Sequence, residues 1–134
     1  MIKFLKEITF VIVSYKSNGI IQDCVKYIPN ESKIIIIENS RDKNILKSVK
    51  NKKNASLILS KNIGYGNGNN LGLSLVKTKY AFILNPDAQI GRNTLKWIFK
   101  AIKILKNKFS IIGPLNTNHK KTFVRDEDAV RGHA

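Results

Sequence analysis

The sequence has very little cysteine and histidine. Cys24 is the single cysteine among 134 residues, so no disulfide can form within the chain. A reducing compartment, the cytoplasm, is therefore the expected location. Cys24 falls on the apolar side of a predicted helix, where a cysteine is ordinarily a core residue. The two histidines, His119 and His133, stand near the end of the chain without metal-ligand spacing to any other residue. These absences argue against a disulfide scaffold, a histidine metal site and a Ser-His-Asp triad.

Long apolar runs are also missing. The longest strongly apolar stretches, residues 8–13 and 34–37, are far shorter than the ~20 residues that a membrane-spanning helix needs. Hydrophobic residues still make up 43% of the chain, which is enough to bury a real core. The sequence therefore predicts one folded domain without a transmembrane helix.

Acidic residues are scarce, and this leaves a formal net charge of +15. Such a charge is compatible with a nucleic-acid partner, an anionic membrane surface or an anionic small substrate. The lysines are spread along predicted helix faces and loops, and the chain is also rich in isoleucine and asparagine, so compositional bias explains much of the charge. No stripe of aromatic residues suited to base stacking is evident, which argues against a nucleic-acid partner.

Apolar periodicity predicts an alternation of strands and helices. The predicted strands are residues 8–13, 34–37, 57–59 and 80–84, with a fifth at residues 110–112. The apolar residues between them recur at helical spacing, within residues 20–28, 45–49, 71–77 and 93–106. This order predicts an α/β three-layer sandwich with a mostly parallel sheet and right-handed crossovers. The near-continuous apolar strands indicate burial on both faces. Periodicity disappears from residue 116, which predicts a loose tail over residues 116–134.

Residues 62–72 form the densest cluster of glycine and asparagine in the chain, Asn-Ile-Gly-Tyr-Gly-Asn-Gly-Asn-Asn-Leu-Gly. Glycine permits positive φ and close backbone approach, and asparagine tolerates the left-handed region. A strand-like run precedes the stretch and a helix-like run follows it. The sequence therefore predicts a glycine-rich loop that joins a strand to a helix. Such loops bind phosphorylated ligands in α/β proteins, although a plain surface loop has the same composition.

Each predicted strand ends in polar residues: Ser14-Tyr15, Glu38-Asn39-Ser40, Lys61-Asn62, and Asn85 with Asp87 after Pro86. The carboxyl ends of parallel strands meet at one edge of the sheet, where open α/β sheets bind ligands. Helix capping and a Pro-Asp turn are the structural alternatives for Ser40 and Asp87. The run before Asp87, residues 81–84, predicts deep burial, and we expect the Asp87 carboxylate to face a solvent-open cleft beside Ser14, Glu38 and residues 62–70.

Two common nucleotide-binding motifs do not match. The dinucleotide fingerprint G-x-G-x-x-G follows the first strand, whereas the glycines here follow the third strand and Asn69 occupies the third glycine position. The P-loop pattern G-x-x-x-x-G-K-[ST] is absent from the sequence.

The sequence instead resembles the N-terminal half of a family 2 glycosyltransferase of the GT-A fold, in its rhamnosyltransferase-like branch. The resemblance covers residues 8–115 and includes both opening strands, Ile-Thr-Phe-Val-Ile-Val-Ser-Tyr and Ile-Ile-Ile-Ile-Glu-Asn-Ser. The glycine stretch matches that family's N-x-G-x-[GA]-x-[GA]-x-N-x-G pattern at every position. Leu84-Asn85-Pro86-Asp87 matches its version of the DxD metal motif, and Ile112-Gly113-Pro114 matches the element that follows.

The resemblance implies sheet order 3-2-1-4 and a nucleotide-sugar-binding half over residues 1–115. It implies a nucleoside diphosphate sugar, with UDP or dTDP, as donor, and a divalent cation, Mg²⁺ or Mn²⁺, held by Asp87. The acceptor would be a glycan or lipid-linked precursor at the cell surface, reached from the cytoplasm or by peripheral association with the inner face of the membrane. The implied nucleotide-sugar-binding residues are Ser14, Tyr15, Glu38, Asn39, Ser40, Asn62, Gly64, Tyr65, Gly66, Asn70, Asn85 and Asp87.

Two departures from the family pattern limit what the resemblance implies. Asn85 replaces the first acid of DxD, so the protein offers one carboxylate to the cation. The half that carries the family's catalytic base and acceptor site has no counterpart in the sequence, and the catalytic residues stay unknown. A truncated or partial enzyme is the first interpretation. A non-catalytic nucleotide-binding remnant or partner subunit is the second, and a basic nucleic-acid-binding domain is the third.

Overall fold

The computed structural model describes residues 1–114. The tail predicted for residues 116–134 lies outside this range, and the predicted domain boundary at residue 115 stays a prediction. The chain divides into two compact units, of which the first is Met1–Gly91 and the second begins at Arg92.

The first unit is built on a parallel sheet of four strands. They are β1 (Ile8–Ser14), β2 (Lys33–Glu38), β3 (Ala55–Leu59) and β4 (Tyr80–Ile83), in the order β3-β2-β1-β4. All three neighbouring pairs are parallel, and the register places Ser14 beside Glu38 and Glu38 beside Leu59. The predicted α/β fold with a mostly parallel sheet and the order 3-2-1-4 are confirmed.

Helices connect the strands. The first unit holds α1 (Ile2–Lys6), α2 (Ile21–Lys26), α3 (Ile45–Val49) and α4 (Tyr65–Ser74), and the second holds α5 (Thr94–Leu105). The short helix α1 was not predicted from the sequence. Leu95 and Ile102, seven residues apart on one face of α5, are its buried residues. Among the described residues no helix is long and apolar enough to cross a membrane.

The two central strands are buried on both faces, as predicted. Every residue of β1 is buried, and only Lys33 of β2 is exposed. Isoleucine and valine dominate both strands because their branched side chains suit a pleated surface that is covered on each side. Phe10, Ile12, Ile36 and Ile37 are completely inaccessible to solvent. This core holds the carboxyl ends of β1 and β2 in fixed positions.

The edge strand β4 is less buried than the sequence predicted. The run of residues 81–84 was predicted to be deeply buried, but Ala81 is exposed and Ile83 is 47% exposed. The reason is that β4 lies at an edge of the described sheet, where alternate side chains lack a covering layer.

The fifth strand predicted at residues 110–112 is wrong, because these residues form no strand in the described part of the chain.

The glycine stretch is mainly helix, which corrects the predicted loop of residues 62–72. Helix α4 begins at Tyr65 and ends at Ser74, rather than covering residues 71–77. Only Gly64, directly before the helix, has positive φ (82°). A Cβ on Gly68 would lie 2.8 Å from Val13 Cγ1, and a Cβ on Gly72 would lie 2.4 Å from Val11 Cγ1. Gly68 and Gly72 therefore let α4 approach β1 closely.

Candidate nucleotide-sugar site

An open cleft of about 440 Å³ lies at the carboxyl ends of β1, β2 and β3. Tyr15 contributes from the end of β1, Asn39 and Ser40 from the end of β2, and Asn62 from beyond β3. These four residues were predicted from the sequence as binding residues, and the parallel sheet brings them to one place. Three cations that were not among the predicted site residues also line the cleft: Lys16, Arg41 and Lys61.

Two of those cations have an unusual backbone. Lys16 has φ 53° and Arg41 has φ 56°, in the left-handed region that side chains other than glycine seldom adopt. The Lys16 N–H donates to Ser40 Oγ at 3.1 Å, which ties the turn after β1 to the turn after β2. Lys16 Nζ also lies 5.3 Å from the centre of the Tyr15 ring. The turns thus place positive charge beside an exposed aromatic ring at the mouth of the cleft.

Glu38 lies beneath the cleft rather than in it. Its side chain is completely inaccessible, and Oε1 accepts hydrogen bonds from the Ser40 N–H (2.7 Å) and from the Ser40 hydroxyl. The resemblance implied that Glu38 contributes to nucleotide-sugar binding, and for this buried side chain that role stays a prediction. The last residue of β2 points inward because both faces of that strand are covered. In this structure Glu38 positions Ser40, which does line the cleft.

Ser14 is likewise completely buried, so it too lies below the cleft surface. Three buried polar atoms gather at the carboxyl ends of β1 and β2 without a protein hydrogen-bond partner: Ser14 Oγ, Glu38 Oε2 and Asn39 Oδ1. Buried polar atoms normally have a hydrogen-bond partner, which can be a bound water or an ion as well as a protein group. At this end of the sheet, polar groups therefore extend from the cleft surface into the core.

Hydrogen bonds join the start of α4 to β2 and to the turn after β4. Asn39 Nδ2 donates to the Gly64 carbonyl at 3.1 Å, and the Tyr65 hydroxyl bonds to Asn85 Oδ1. Asn62 Oδ1 accepts from the Gly64 N–H at 3.1 Å. The structure therefore connects five of the predicted residues directly. Gly66 and Asn70 lie within α4 and are exposed.

Asp87 lies in a tight turn. The Ala88 N–H donates to the Asn85 carbonyl at 3.0 Å, so residues 85–88 form a β-turn with Pro86 in its second position. Asp87 is exposed and lines a pocket of about 130 Å³ together with Asp23 and Cys24 of α2. This pocket shares no lining residue with the larger cleft. Tyr65, within residues 62–70, contacts Asn85 of the same turn. The expected placement of Asp87 beside Ser14, Glu38 and residues 62–70 stays a prediction.

The side chains around Asp87 fit a hard cation that takes most of its ligands from a phosphorylated ligand. Within residues 1–114 no group of three or more His, Cys, Asp or Glu residues could enclose a metal ion. Mg²⁺ in nucleotide sites is typically held by one or two carboxylates plus phosphate oxygens. Asp87 supplies one carboxylate, and Asp23, which sequence reasoning missed, lines the same pocket. No sequence signal identified Asp23, because its proximity to Asp87 depends on how α2 packs.

Ser40→Ala is expected to lower the free energy of unfolding by about 1–3 kcal/mol, since it leaves Glu38 Oε1 with one donor and removes the acceptor of the Lys16 N–H. Ser74→Ala is a suitable control, because the Ser74 hydroxyl makes only a local bond to the Leu71 carbonyl on an exposed part of α4. Urea unfolding of both variants measures the difference. Equal stabilities would contradict a structural role for the Glu38–Ser40 contact.

Cys24 is expected to be inert to alkylation in the folded protein. Its side chain is buried, and burial together with the nearby Asp87 carboxylate raises the pKa of its thiol from an ordinary 9.0 to about 11. Because the folded-state pKa is the higher one, this thiol contributes full stability below pH 9 and loses its contribution as the pH rises toward 11. Iodoacetamide at pH 8 should label Cys24 slowly in buffer and rapidly in urea, as followed by mass spectrometry. Equal rates would contradict its burial.

The four-stranded parallel sheet with its polar carboxyl edge is an α/β domain of the GT-A type. Solved structures of S. aureus TarS are among those that the chain resembles. The chain aligns with TarS residues 1–349 at TM-score 0.62 and 19% identity, covering 74% of this chain and 33% of TarS 1–349. A TarS 1–349 structure in complex with UDP-GlcNAc aligns at the same TM-score and identity.

Sequence comparison finds a similar protein that is a glycosyltransferase. The chain is 23% identical over 132 residues to the low-salt glycan biosynthesis hexosyltransferase Agl10 of Haloferax volcanii, covering 96% of this chain. It spans only 42% of the length of that relative. No family model matches the chain. The resemblance to glycosyltransferases that the sequence motifs predicted is confirmed, over part of the length of those proteins.

Proposed function

We propose that this chain is the donor-binding half of a family 2 type glycosyltransferase, which binds a nucleoside diphosphate sugar for transfer to a cell-surface glycan or lipid-linked acceptor. The observation that carries the proposal is the cationic cleft at the carboxyl edge of the sheet. Tyr15, Asn39, Ser40 and Asn62 supply an aromatic ring and polar groups, and Lys16, Arg41 and Lys61 supply charge complementary to a diphosphate.

The residues take distinct parts in this proposal. Tyr15 offers an exposed ring for contact with the base, and Ser40 and Asn39 offer hydrogen-bonding groups to the nucleoside. Glu38 holds Ser40 in place from below. The N-terminus of α4, at Tyr65, presents backbone N–H groups and the positive end of the helix dipole to an anion.

The departing nucleoside diphosphate gains negative charge as the sugar leaves, and this charge must be stabilised. We propose that Asp87 holds a divalent cation, Mg²⁺ or Mn²⁺, that supplies such stabilisation when bound, with Asp23 as the second carboxylate at the pocket. Transfer to an acceptor hydroxyl also requires a general base. We assign that role to no residue among 1–114.

Isothermal titration with UDP, dTDP and uridine tests donor binding. We expect the diphosphates to bind at least about tenfold more tightly than uridine, because charge-assisted contacts to phosphate are the stronger ones. Arg41→Glu should abolish that advantage. Lys53→Glu is the matched control, since Lys53 is exposed at the opposite end of β3. Equal binding of uridine and UDP, or equal damage by both variants, would contradict the proposal.

A non-catalytic nucleotide-binding remnant or partner subunit is the second candidate, because the cationic cleft would bind a donor whether or not transfer follows. The two candidates share donor binding and differ in turnover. Release of UDP from UDP-sugars in the presence of lipid-linked or glycan acceptors would identify a transferase. Tight donor binding without release, with and without Mn²⁺, would identify a binding subunit. We also propose peripheral association with the inner face of the membrane, in keeping with such an acceptor.

A further inference from the structure

Helix α5 exposes a face that the donor site does not use. Trp97 is 65% exposed and Ile104 is 69% exposed. The two residues are seven apart, so they lie on the same side of the helix, two turns from each other. The buried residues Leu95 and Ile102 lie on another side. The exposed pair is therefore an outward apolar strip that packing within the described chain leaves uncovered.

Lysines flank this strip. Lys96, Lys100 and Lys103 are all exposed on α5. Lys100 Nζ lies 5.4 Å from the centre of the Trp97 ring. Lys103 Nζ lies 4.5 Å from the centre of the Phe99 ring. The outward side of α5 thus combines a tryptophan, an isoleucine and a cluster of ammonium groups; no acidic residue occurs anywhere in the helix.

We propose that this basic-aromatic face of α5, made of Lys96, Trp97, Lys100, Lys103 and Ile104, docks onto an anionic phospholipid surface. Tryptophan prefers the interface between headgroups and acyl chains, and lysines beside it pair with anionic headgroups. Protein–protein interfaces are depleted in lysine, so the same composition fits a protein partner less well. The net charge of +15 adds a long-range attraction to the same kind of surface.

Docking in this way would hold the chain at the membrane while the cleft binds donor from solution. The inference rests on the membrane association proposed above, for which it names the surface. It does not depend on donor binding, since vesicle binding and nucleotide titration are measured separately. If vesicle binding fails, the titration still tests donor binding, and if donor binding fails, the vesicle experiment still tests docking by α5.

The test uses the fact that Trp97 is the single tryptophan of the chain. The full chain is titrated with vesicles of phosphatidylglycerol and of phosphatidylcholine, and Trp97 emission and co-sedimentation are followed. We expect a blue shift and co-sedimentation with phosphatidylglycerol alone, both reversed by high salt. Equal binding to the two lipids, or binding without a change in Trp97 emission, would overturn the proposal.

Paired variants locate the surface. Lys100→Gln with Lys103→Gln should lower the partition coefficient by roughly twenty-five-fold, since each lysine near an anionic surface is worth about fivefold. Lys47→Gln with Lys50→Gln makes the same charge change at α3, where both lysines are exposed, and should have a much smaller effect. Equal losses would assign binding to overall charge and overturn the proposal.

A second pair tests the apolar strip and keeps the fluorescent reporter. Ile104→Ser should weaken vesicle binding severalfold, whereas Ile2→Ser should not, although Ile2 is 62% exposed on another helix. A blue shift that grows with protein concentration without vesicles would show self-association through α5. An equal shift with duplex DNA would show a general polyanion surface. Either result would overturn the proposal, and circular dichroism confirms that each variant is folded.

Discussion

Gly72→Ala is expected to lower the free energy of unfolding by about 1–3 kcal/mol, even though alanine is the better helix former. The new Cβ would lie 2.4 Å from Val11 Cγ1 and 3.5 Å from Ile37 Cγ1, so α4 or β1 must shift. Because β1 is buried on both faces, little room exists for such a shift. Urea unfolding followed by circular dichroism measures the loss.

Gly66→Ala is the matched control for that experiment. Gly66 lies in the same helix, but a Cβ there would meet nothing within 4 Å. It should therefore stabilise the protein by about 0.5–1 kcal/mol through helix propensity alone. In a Val11→Ala background the clash is removed, and Gly72→Ala should become neutral or stabilising. If both glycine substitutions stabilise the wild-type protein, close packing of α4 on β1 is contradicted.

Asp87→Asn is expected to weaken Mn²⁺-dependent binding of UDP by about tenfold or more and to leave the fold intact. Loss of a charge-assisted oxygen contact is worth roughly 1.5–3 kcal/mol. The side chain is exposed in a turn that the backbone bond between Asn85 and Ala88 maintains, so stability should change little. Titration of UDP and dTDP, each with and without Mn²⁺, measures the effect.

Glu31→Gln is the control for the Asp87 experiment, because it removes the same charge from an exposed position at the amino end of β2. It should leave metal-dependent binding unchanged. Equal affinities of wild type and Asp87→Asn in the presence of Mn²⁺ would contradict the metal site and leave Asp87 as a turn residue. Binding of UDP without metal would still test the cationic cleft by itself.

Lys16, Arg41 and Lys61 show why charge is difficult to interpret from composition. The composition and net charge of the chain offer no reason to prefer these three cations. They line the cleft because each follows the end of a strand within a few residues, and the parallel sheet brings those ends together. Their positions shortly after the ends of predicted strands were the signal by which the sequence could have identified them as cleft residues. The left-handed backbone of Lys16 and Arg41 appears only in the structure.

The sequence by itself determined the alternation of strands and helices and the two central strands. The continuous isoleucine and valine of β1 and β2 predicted burial on both faces, and β1 is buried throughout. Strands that alternate with helices pair in a parallel sheet, so the polar residues after the strands meet at one edge. Tyr15, Asn39, Ser40 and Asn62 line the cleft for that reason. These features depend on periodicity and on chain order, which are both written in the sequence.

Only the tertiary structure decided how the glycines pack and where the carboxylates lie. Glycine is compatible with a flexible loop and with a close helix contact, and only Val11 and Val13 beneath α4 distinguish the two. A glutamate at a strand end can face solvent or the core, and the covered faces of β2 direct Glu38 inward. Asp87 and Asp23 line one pocket because α2 packs against the turn after β4, where Cys24 Sγ donates to the Asn85 carbonyl at 3.4 Å. Each outcome depends on contacts between residues far apart in sequence, which local pattern cannot specify.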